Sequence, residues 1–488
     1  MKLEELIQNL QGMTLSGTAN PEIAGLALDS RKVKDGFLFA AIPGTLADGH
    51  DYIGKAIQAG ARAILCQRMP EKIDNSISYL QVDNVRDALG SICAKYYNHP
   101  DKDLIIIGIT GTNGKTSIAT WLYELGTKLG YPCGLISTIK IKIKDKEYSA
   151  SHTTPDAISL YQNLYKMVHT GCQYVFMEVS SHALDQKRVA GISFSGAVFT
   201  NLSRDHLDYH VDYPSYLHAK KMLFDQLDKK SFALINREDR NAEVMIQNTE
   251  AKVSGFSTRS LADYQGKLME QIGQAMLLEI NGKELWLPFI GRFNASNLTA
   301  VFGVAMELNW DEDEVLAAMS AMDQVEGRFE RIDLGNNVTG IVDYAHTPDA
   351  LENVLGTIKD MCVKGQRIIT VIGAGGDRDK GKRPKMASEA VKSSDIVILT
   401  SDNPRSEDPE SIIEDMKTGI PEAKDHQVFC LTNRREAIKL AVAMSTPGDF
   451  ILIAGKGHEK YQEIKGERHH FDDKEELLKI KFKAVKGR

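Results

Sequence analysis

Cysteine is scarce and scattered: six residues in 488 (Cys66, Cys93, Cys133, Cys172, Cys362 and Cys430), with no CxxC pair and no histidine at metal spacing. That pattern argues against a disulfide framework and fits free thiols in a reducing cytoplasm. No apolar run approaches the roughly 18 residues that span a bilayer. The opening MKLEELIQNLQG alternates acidic and apolar residues like an amphipathic helix and lacks the apolar core of a signal peptide. Positive charge is not in excess; the net charge of -7 argues against wholesale wrapping of nucleic acid, while small polyanions depend on local basic residues. Apolar (42%) and charged (26%) fractions near the globular average exclude disordered and fibrous classes. The length exceeds one ordinary core and predicts two to four domains. The expectation is a soluble, cytoplasmic, multidomain protein without membrane or nucleic-acid partners.

What is present is a repeated alternation. FLFAAI, an amphipathic stretch near 52–60, and ARAILC come first; LIIIGIT, CGLIST, YVFMEV and GAVFTNL follow; RIITVIG, DIVILT and FILIAG come late. Strand-then-helix alternation predicts an α/β fold of parallel sheets covered by helices. The polar YYNHPDKD at 96–103 separates a helical segment from the next strand and reads as a linker. Near 327–331 a helical stretch gives way to the strand-like IDLG and TGIVDYAH. GRF occurs at Gly291 and at Gly327, but the flanks differ, so it is no repeat. Between about 232 and 290, MLLEI and LWLPF flank Asn281-Gly282, which predicts a hairpin inserted in the middle domain. The expected domains are residues 1–98, 99–330 and 331–488.

The densest chemistry lies at 104–122, LIIIGITGTNGKTSIATWL. A buried strand runs into Gly111-Thr112-Asn113-Gly114-Lys115-Thr116, which opens a helix. Glycines let backbone N–H groups turn toward phosphates, the helix N-terminus favours anions, and the lysine adds charge. The Thr116 hydroxyl is positioned to ligate Mg²⁺. The usual phosphate loop has a glycine five residues before Gly114; Ile109 stands there, so this is a shortened variant.

GTNGKT resembles the ATP loop of the Mur ligases, enzymes that add amino acids to the UDP-N-acetylmuramoyl peptide. DSRKV and DGFLFAAIPG (29–44), HTTPDA (152–157), MEVSSHAL (177–184) and TNLSRDHLDYH (200–210) resemble signatures of the branch adding the third residue. GRFNASN (291–297), VDYAHTPDAL (342–351), GAGGDRDKGKRP (373–384), SDNPRSEDP (401–409) and AGKGHE (454–459) do so too, across all three proposed domains in the family's order. The resemblance implies an N-terminal UDP-binding α/β domain, a central ATPase domain with a parallel sheet, and a C-terminal Rossmann-like domain for the incoming amino acid. The implied enzyme is a monomeric ATP-dependent amide-bond ligase acting on small molecules: ATP, the UDP-MurNAc-dipeptide and an amino acid.

Such a reaction phosphorylates a carboxylate from ATP and lets an amine attack the acyl phosphate, so it needs positive charge and metal more than covalent help. Lys115 and Thr116 supply part of this. Glu178 ends the strand YVFMEV, where a carboxylate can hold Mg²⁺ at the carboxyl edge of a parallel sheet. The resemblance makes His206 a second-metal ligand, with Asp205, Asp208 and His210 shaping its loop. Lys220 resembles the family lysine that takes up CO₂ as a carbamate (N6-carboxylysine), turning a cation into an anionic oxygen ligand; the A-K-x-x-L spacing selects it over Lys221. Asn294 resembles the residue that reaches adenine. Arg328, Asp343 and His346 resemble nucleotide contacts from across the cleft, with Glu326 standing where the family has proline. Groups drawn from two domains suggest closure over ATP that excludes water. Ser30 and Arg31 resemble residues that hold uridine and diphosphate; Thr153, Thr154, Ser181 and Arg188 resemble muramoyl-peptide contacts.

The family branches differ in their third amino acid, lysine or meso-diaminopimelate, which carries an extra distal carboxylate. Arg405 of DNPR follows the strand DIVILT, and an arginine fork binds a carboxylate bidentately while repelling a lysine ammonium. A site built around such a pair can reject the analogue lacking it by about 10⁴-fold. DNPR resembles the diaminopimelate branch, with Arg378, Asp402, Asn403, Gly455 and Glu459 completing the pocket. Alternatives are the lysine-adding branch, folylpolyglutamate synthase, which lacks the N-terminal DSR signature, and a nucleotide-binding regulator without catalysis, which the intact Lys115, Glu178, His206 and Lys220 disfavour.

Overall fold

A computed structural model describes residues 1–480 apart from 9, 11, 18–19, 45–46 and 151. Among the described residues three large sheets follow one another along the chain, each built mainly of parallel strands with helices between them, and a two-stranded antiparallel ribbon of Tyr461–Ile464 and Glu467–His470 follows the third. The first orders Met13–Ser16, Ser78–Val82, Ala61–Cys66, Phe37–Ala40 and Gly25–Ala27, antiparallel only at its first pair. Of the amphipathic N-terminal stretch, Leu3–Ile7 is helical; residues 9 and 11 lie outside the described set.

The central sheet has eleven strands among the described residues, with Ile105–Thr110 between Gly196–Phe199 and Tyr174–Glu178. That strand is covered on both faces, which is why IIIGIT is continuously apolar rather than alternating. Asn281 (φ 47°) and Gly282 (φ 84°) close a two-residue turn between Ala275–Ile280 and Lys283–Leu287. The expected hairpin is present and continues the central sheet at its edge. Tyr264–Ile272 pairs parallel with Lys252–Ser257 and joins these strands to the main sheet, because an unpaired edge there would leave backbone donors and acceptors open.

The third sheet orders Glu330–Asp333, Thr339–Asp343, Phe450–Ala454, Ile368–Ile372, Ile396–Thr400 and Val428–Leu431, antiparallel only at its first pair. Residues 96–103, expected as a linker, form a fixed joint instead. The helix Val85–Tyr96 leads into the turn Pro100–Lys102, and buried Asp101 accepts a hydrogen bond from the Ser193 N–H at 3.2 Å. A buried carboxylate needs such a partner, so the segment is anchored to the central unit.

In the third unit, Arg383 is 1% exposed and donates to Glu407 at 2.8 and 2.9 Å and to Asp415 at 2.8 Å. Hydrogen bonding from Arg383 holds the Glu407 carboxyl at about 2, below its usual 4.5. A depressed carboxylate stabilises the fold fully above the unfolded value and loses that contribution as pH falls through the folded one. Urea midpoints should therefore drop between pH 5 and pH 2, and Glu407→Gln should flatten that slope; an unchanged slope would deny Glu407 this role.

Candidate active site

Gly111 leaves the strand Ile105–Thr110 at φ 151°, where an added Cβ would lie 1.9 Å from Thr200 Oγ1. Gly114, at φ 89°, opens the helix Lys115–Lys128 and similarly faces Asn297 Oδ1. The loop is braced from the neighbouring strand end: Thr200 Oγ1 donates to the Asn113 carbonyl at 2.6 Å, and Asn201 Oδ1 accepts from the Asn113 N–H at 2.9 Å. Lys115 Nζ folds back to donate to the carbonyls of Gly111 and Thr112, both at 2.8 Å. Its enclosure lowers its pKa, opposed by Glu178 and Asp205.

The loop faces a cavity of about 330 Å³ whose wall includes Lys115, Thr116, Glu178, Ser181, His206 and Lys220. Glu178 is fully buried at its strand end, accepting from Thr138 N–H at 2.7 Å and Thr138 Oγ1 at 3.1 Å. The hydroxyl of Ser181 is buried without a hydrogen-bond partner among the described residues. Asp212 caps the helix Tyr213–Asp225 by accepting from Ser215 N–H, and that helix carries Lys220 inward. Lys220, 1% exposed, donates to the Gly111 carbonyl at 2.8 Å and sits over the Tyr216 ring. Burial first, then the Lys115 charge, push its pKa well below the usual lysine value. Lys221 pairs with Asp225 and is absent from the cavity wall. Among the described residues, no cluster of three His, Cys, Asp or Glu side chains converges as a metal site. The Glu178 carboxylate and the Thr116 hydroxyl on the cavity wall are oxygen donors of the kind Mg²⁺ takes, with the His206 ring beside them.

Residues beyond 327 complete the wall. Arg328 donates to Thr116 Oγ1 at 2.9 Å and lies over the Tyr344 ring. Asp343 accepts from the N–H groups of Phe329 and Ala345; burial raises its pKa. His346 holds the Tyr344 carbonyl through Nδ1, and its Nε2 lies 3.7 Å from Asp205. Asp205 also meets His206 and Lys382, each at 3.3 Å. Burial would raise the Asp205 carboxyl, but Lys382 and the two histidines hold it well below the usual range. Asn113 donates to Asp349 at 2.8 Å, and Arg204 pairs with Asp379 at 3.3 Å, so the central and third units meet through polar contacts around the loop.

Some expected residues stand elsewhere. Asn294 gives its amide to the Ile290 carbonyl at 2.8 Å and is absent from the cavity wall, where Asn297 stands instead. Thr154 is buried and donates to the Glu178 carbonyl at 2.8 Å, bracing that strand end, whereas Thr153 lines the cavity beside Thr138. Arg188 donates to Gln186 and to the Thr154 carbonyl and lines a separate cavity of about 190 Å³ with Leu28, Arg86 and His152. Ser30 and Arg31 form a short turn after Leu28; Arg31 is exposed and pairs with Asp29. Asp208 is exposed, and His210 is buried beside Tyr216. Glu326 pairs with Lys460 at 2.9 Å.

The amino-acid set forms its own cluster. Arg405 is held at φ 51° by its N–H to the Glu463 carbonyl and by Lys465 N–H to its own carbonyl, a left-handed strain typical of functional sites. Arg405 and Arg378 flank Gly375, and Arg405 donates to the Gly376 carbonyl at 2.7 Å. Gly455, at φ 114°, lets Asp402 approach where a Cβ would lie 2.5 Å away. Asn403 donates to Glu459 at 2.8 Å. Lys456 and Lys382 escaped the sequence reading; glycines on both sides of Lys456 were a usable signal, whereas only the pairing with Asp205 marks Lys382.

Three α/β units, with a phosphate-type loop facing a charged cavity between two of them, define a nucleotide-dependent group-transfer protein. The "Mur ligase family, catalytic domain" model matches residues 22–97, the "Mur ligase middle domain" 109–305, and the "Mur ligase, glutamate ligase domain" 327–457. The chain belongs to the Mur ligase family of ATP-dependent ligases. It is 50% identical over 480 residues to the UDP-N-acetylmuramoyl-L-alanyl-D-glutamate--2,6-diaminopimelate ligase of Phocaeicola vulgatus, covering 98% of this chain and 99% of the relative. A solved structure titled for the same ligase is 34% identical with a TM-score of 0.67, covering 98% of each chain. A Mycobacterium tuberculosis folylpolyglutamate synthase shares the fold alone, at 20% identity and a TM-score of 0.62, covering 76% of this chain and 93% of its own.

Lys382→Met would leave buried Asp205 short of its strongest cation, and breaking a buried pair costs about 3 kcal/mol or more. The variant should unfold at lower urea concentration, and adding Asp205→Asn should recover part of the loss. No recovery would mean that Lys382 stabilises by packing.

Proposed function

We propose that this chain joins meso-diaminopimelate to the γ-carboxylate of the D-glutamate in UDP-N-acetylmuramoyl-L-alanyl-D-glutamate, a step of cell-wall precursor synthesis, with ATP consumed through an acyl phosphate. The observation that carries the reading is one cavity walled both by Lys115, Glu178 and His206 and by Arg328 and His346. Full-length relatives named for this reaction support the substrate assignment. We take residues 1–98, 99–330 and 331–488 as its domains, and cytoplasmic monomer as its state; residues 481–488 lie outside the described set.

A γ-carboxylate oxygen attacks the terminal phosphorus of ATP, the bridging P–O bond breaks, and ADP leaves. The amine nitrogen then attacks the acyl carbon, the acyl C–O bond breaks, phosphate departs, and the amine gives up a proton. Lys115 and Arg328 balance charge on the transferring group, while the loop N–H groups orient the phosphates. Thr116, Glu178, His206 and a carbamate on Lys220 would hold Mg²⁺, which would supply positive charge against the phosphates. The depressed pKa of Lys220 supports the carbamate, since only a neutral amine attacks CO₂, forming an N–C bond and losing one proton. Asp343 and His346 hold the nucleotide side, and Ser181, Thr153 and Arg188 the peptide side, with Ser30 and Arg31 toward the uridine diphosphate. Arg405 and Arg378 take the distal carboxylate of diaminopimelate, and Glu459, with Asp402, takes its ammonium.

Incubation with ATP, Mg²⁺ and the UDP-dipeptide, with diaminopimelate or L-lysine supplied separately, should give only the diaminopimelate adduct by mass spectrometry. A lysine adduct would refute the role given to Arg405. Lys220→Ala should lower kcat about 100-fold or more and abolish a ¹³C carbamate resonance seen with labelled bicarbonate; a resonance surviving in the variant would place the modification elsewhere.

A further inference from the structure

Lys456 lies outside every role assigned above, yet it is fully buried within the amino-acid cluster. Gly455 (φ 114°) and Gly457 (φ 52°) fold the backbone around it, both in a region that side-chain-bearing residues rarely adopt. Its ammonium donates to Asn403 Oδ1 and to Glu459 Oε2, each at 3.1 Å, lies 3.9 Å from Asp402 Oδ1 and faces the Tyr461 ring. A buried ammonium this well partnered is a fixed internal charge.

The contacts dictate what their partners can do. Asn403 Oδ1 accepts from Lys456 and from the Glu463 N–H at 2.9 Å, which leaves its amide nitrogen to donate to Glu459. The amide orientation is thereby determined by two donors on the oxygen. Glu459 Oε2 is occupied twice, by Asn403 and Lys456, and only Oε1 remains for a ligand. The charge balance is equally constrained. Asp402 and Glu459 are two acids beside Lys456, and the buried Arg434 that also faces them is paired with Asp473 at 2.7 Å, so one negative charge is left to meet one ammonium. Burial alone would raise the Asp402 carboxyl; Lys456, then Arg434, hold it below its usual value.

We infer that Lys456 is a positioning residue that orients Glu459 and Asn403 and sets the pocket's charge for a ligand end bearing one ammonium and one carboxylate. The inference rests on the amino-acid pocket proposed above. Without Lys456, two uncompensated acids would favour a second ammonium, and discrimination against L-lysine would shrink.

Steady-state kinetics of Lys456→Met in the full-length enzyme test this. KM for diaminopimelate should rise at least about tenfold, with kcat and the KM values for ATP and UDP-dipeptide within about threefold, and the preference over L-lysine should narrow. An unchanged KM for diaminopimelate, or a fall in kcat with all KM values constant, would overturn the inference. Should the single variant fail to fold, Lys456→Met with Glu459→Gln removes both charges. Its KM should then match that of Glu459→Gln alone, as coupled residues require; a further large increase would mean that Lys456 acts independently. Failure of the unaltered enzyme to use diaminopimelate would instead overturn the substrate reading, and this inference with it.

Discussion

Two lysines, Lys115 and Lys220, bring their ammonium groups to the same carbonyl oxygen, that of Gly111, each at 2.8 Å. Like charges so close and so enclosed cannot both remain comfortably protonated, and the more deeply buried Lys220 takes the larger shift. The arrangement depends on Gly111 having no side chain, because Thr200 already occupies the position of a Cβ. A turn chosen for backbone reasons thus holds two ammonium groups against one carbonyl oxygen at the cavity wall.

The second constraint runs across the cavity. Asp205 is buried in the central unit, yet its ion-pair partner Lys382 and His346, whose Nε2 lies 3.7 Å away, come from the third. Desolvated carboxylates are costly unless paired. Asn113 with Asp349 and Arg204 with Asp379 repeat the pattern. The cavity wall is therefore made by side chains of both units, and its charges are balanced only across their contact.

Much of the fold was legible because buried parallel strands are long apolar runs and glycine turns punctuate them. The phosphate loop, Glu178 at its strand end and Lys220 on its helix could be named from local pattern and family resemblance. Asn294 and Thr154 could not be judged that way. Whether an amide or a hydroxyl faces a cavity or a neighbouring carbonyl depends on which rotamer its surroundings leave open, and here Ile290 and Glu178 take those bonds. The same holds for residues 96–103, polar enough to read as a tether but anchored through Asp101.

By itself, the sequence determined the alternation of strands and helices, the loop at Gly111–Thr116 and the residue types present at each proposed site, since these follow from short-range periodicity and composition. Only the tertiary structure decided that Asn297 lines the cavity where Asn294 does not, and that Lys382 and Lys456 are internal cations. Those outcomes depend on burial and on charges far apart in the chain. The energy of an ion pair is set by distance and desolvation, neither of which is written in residue order.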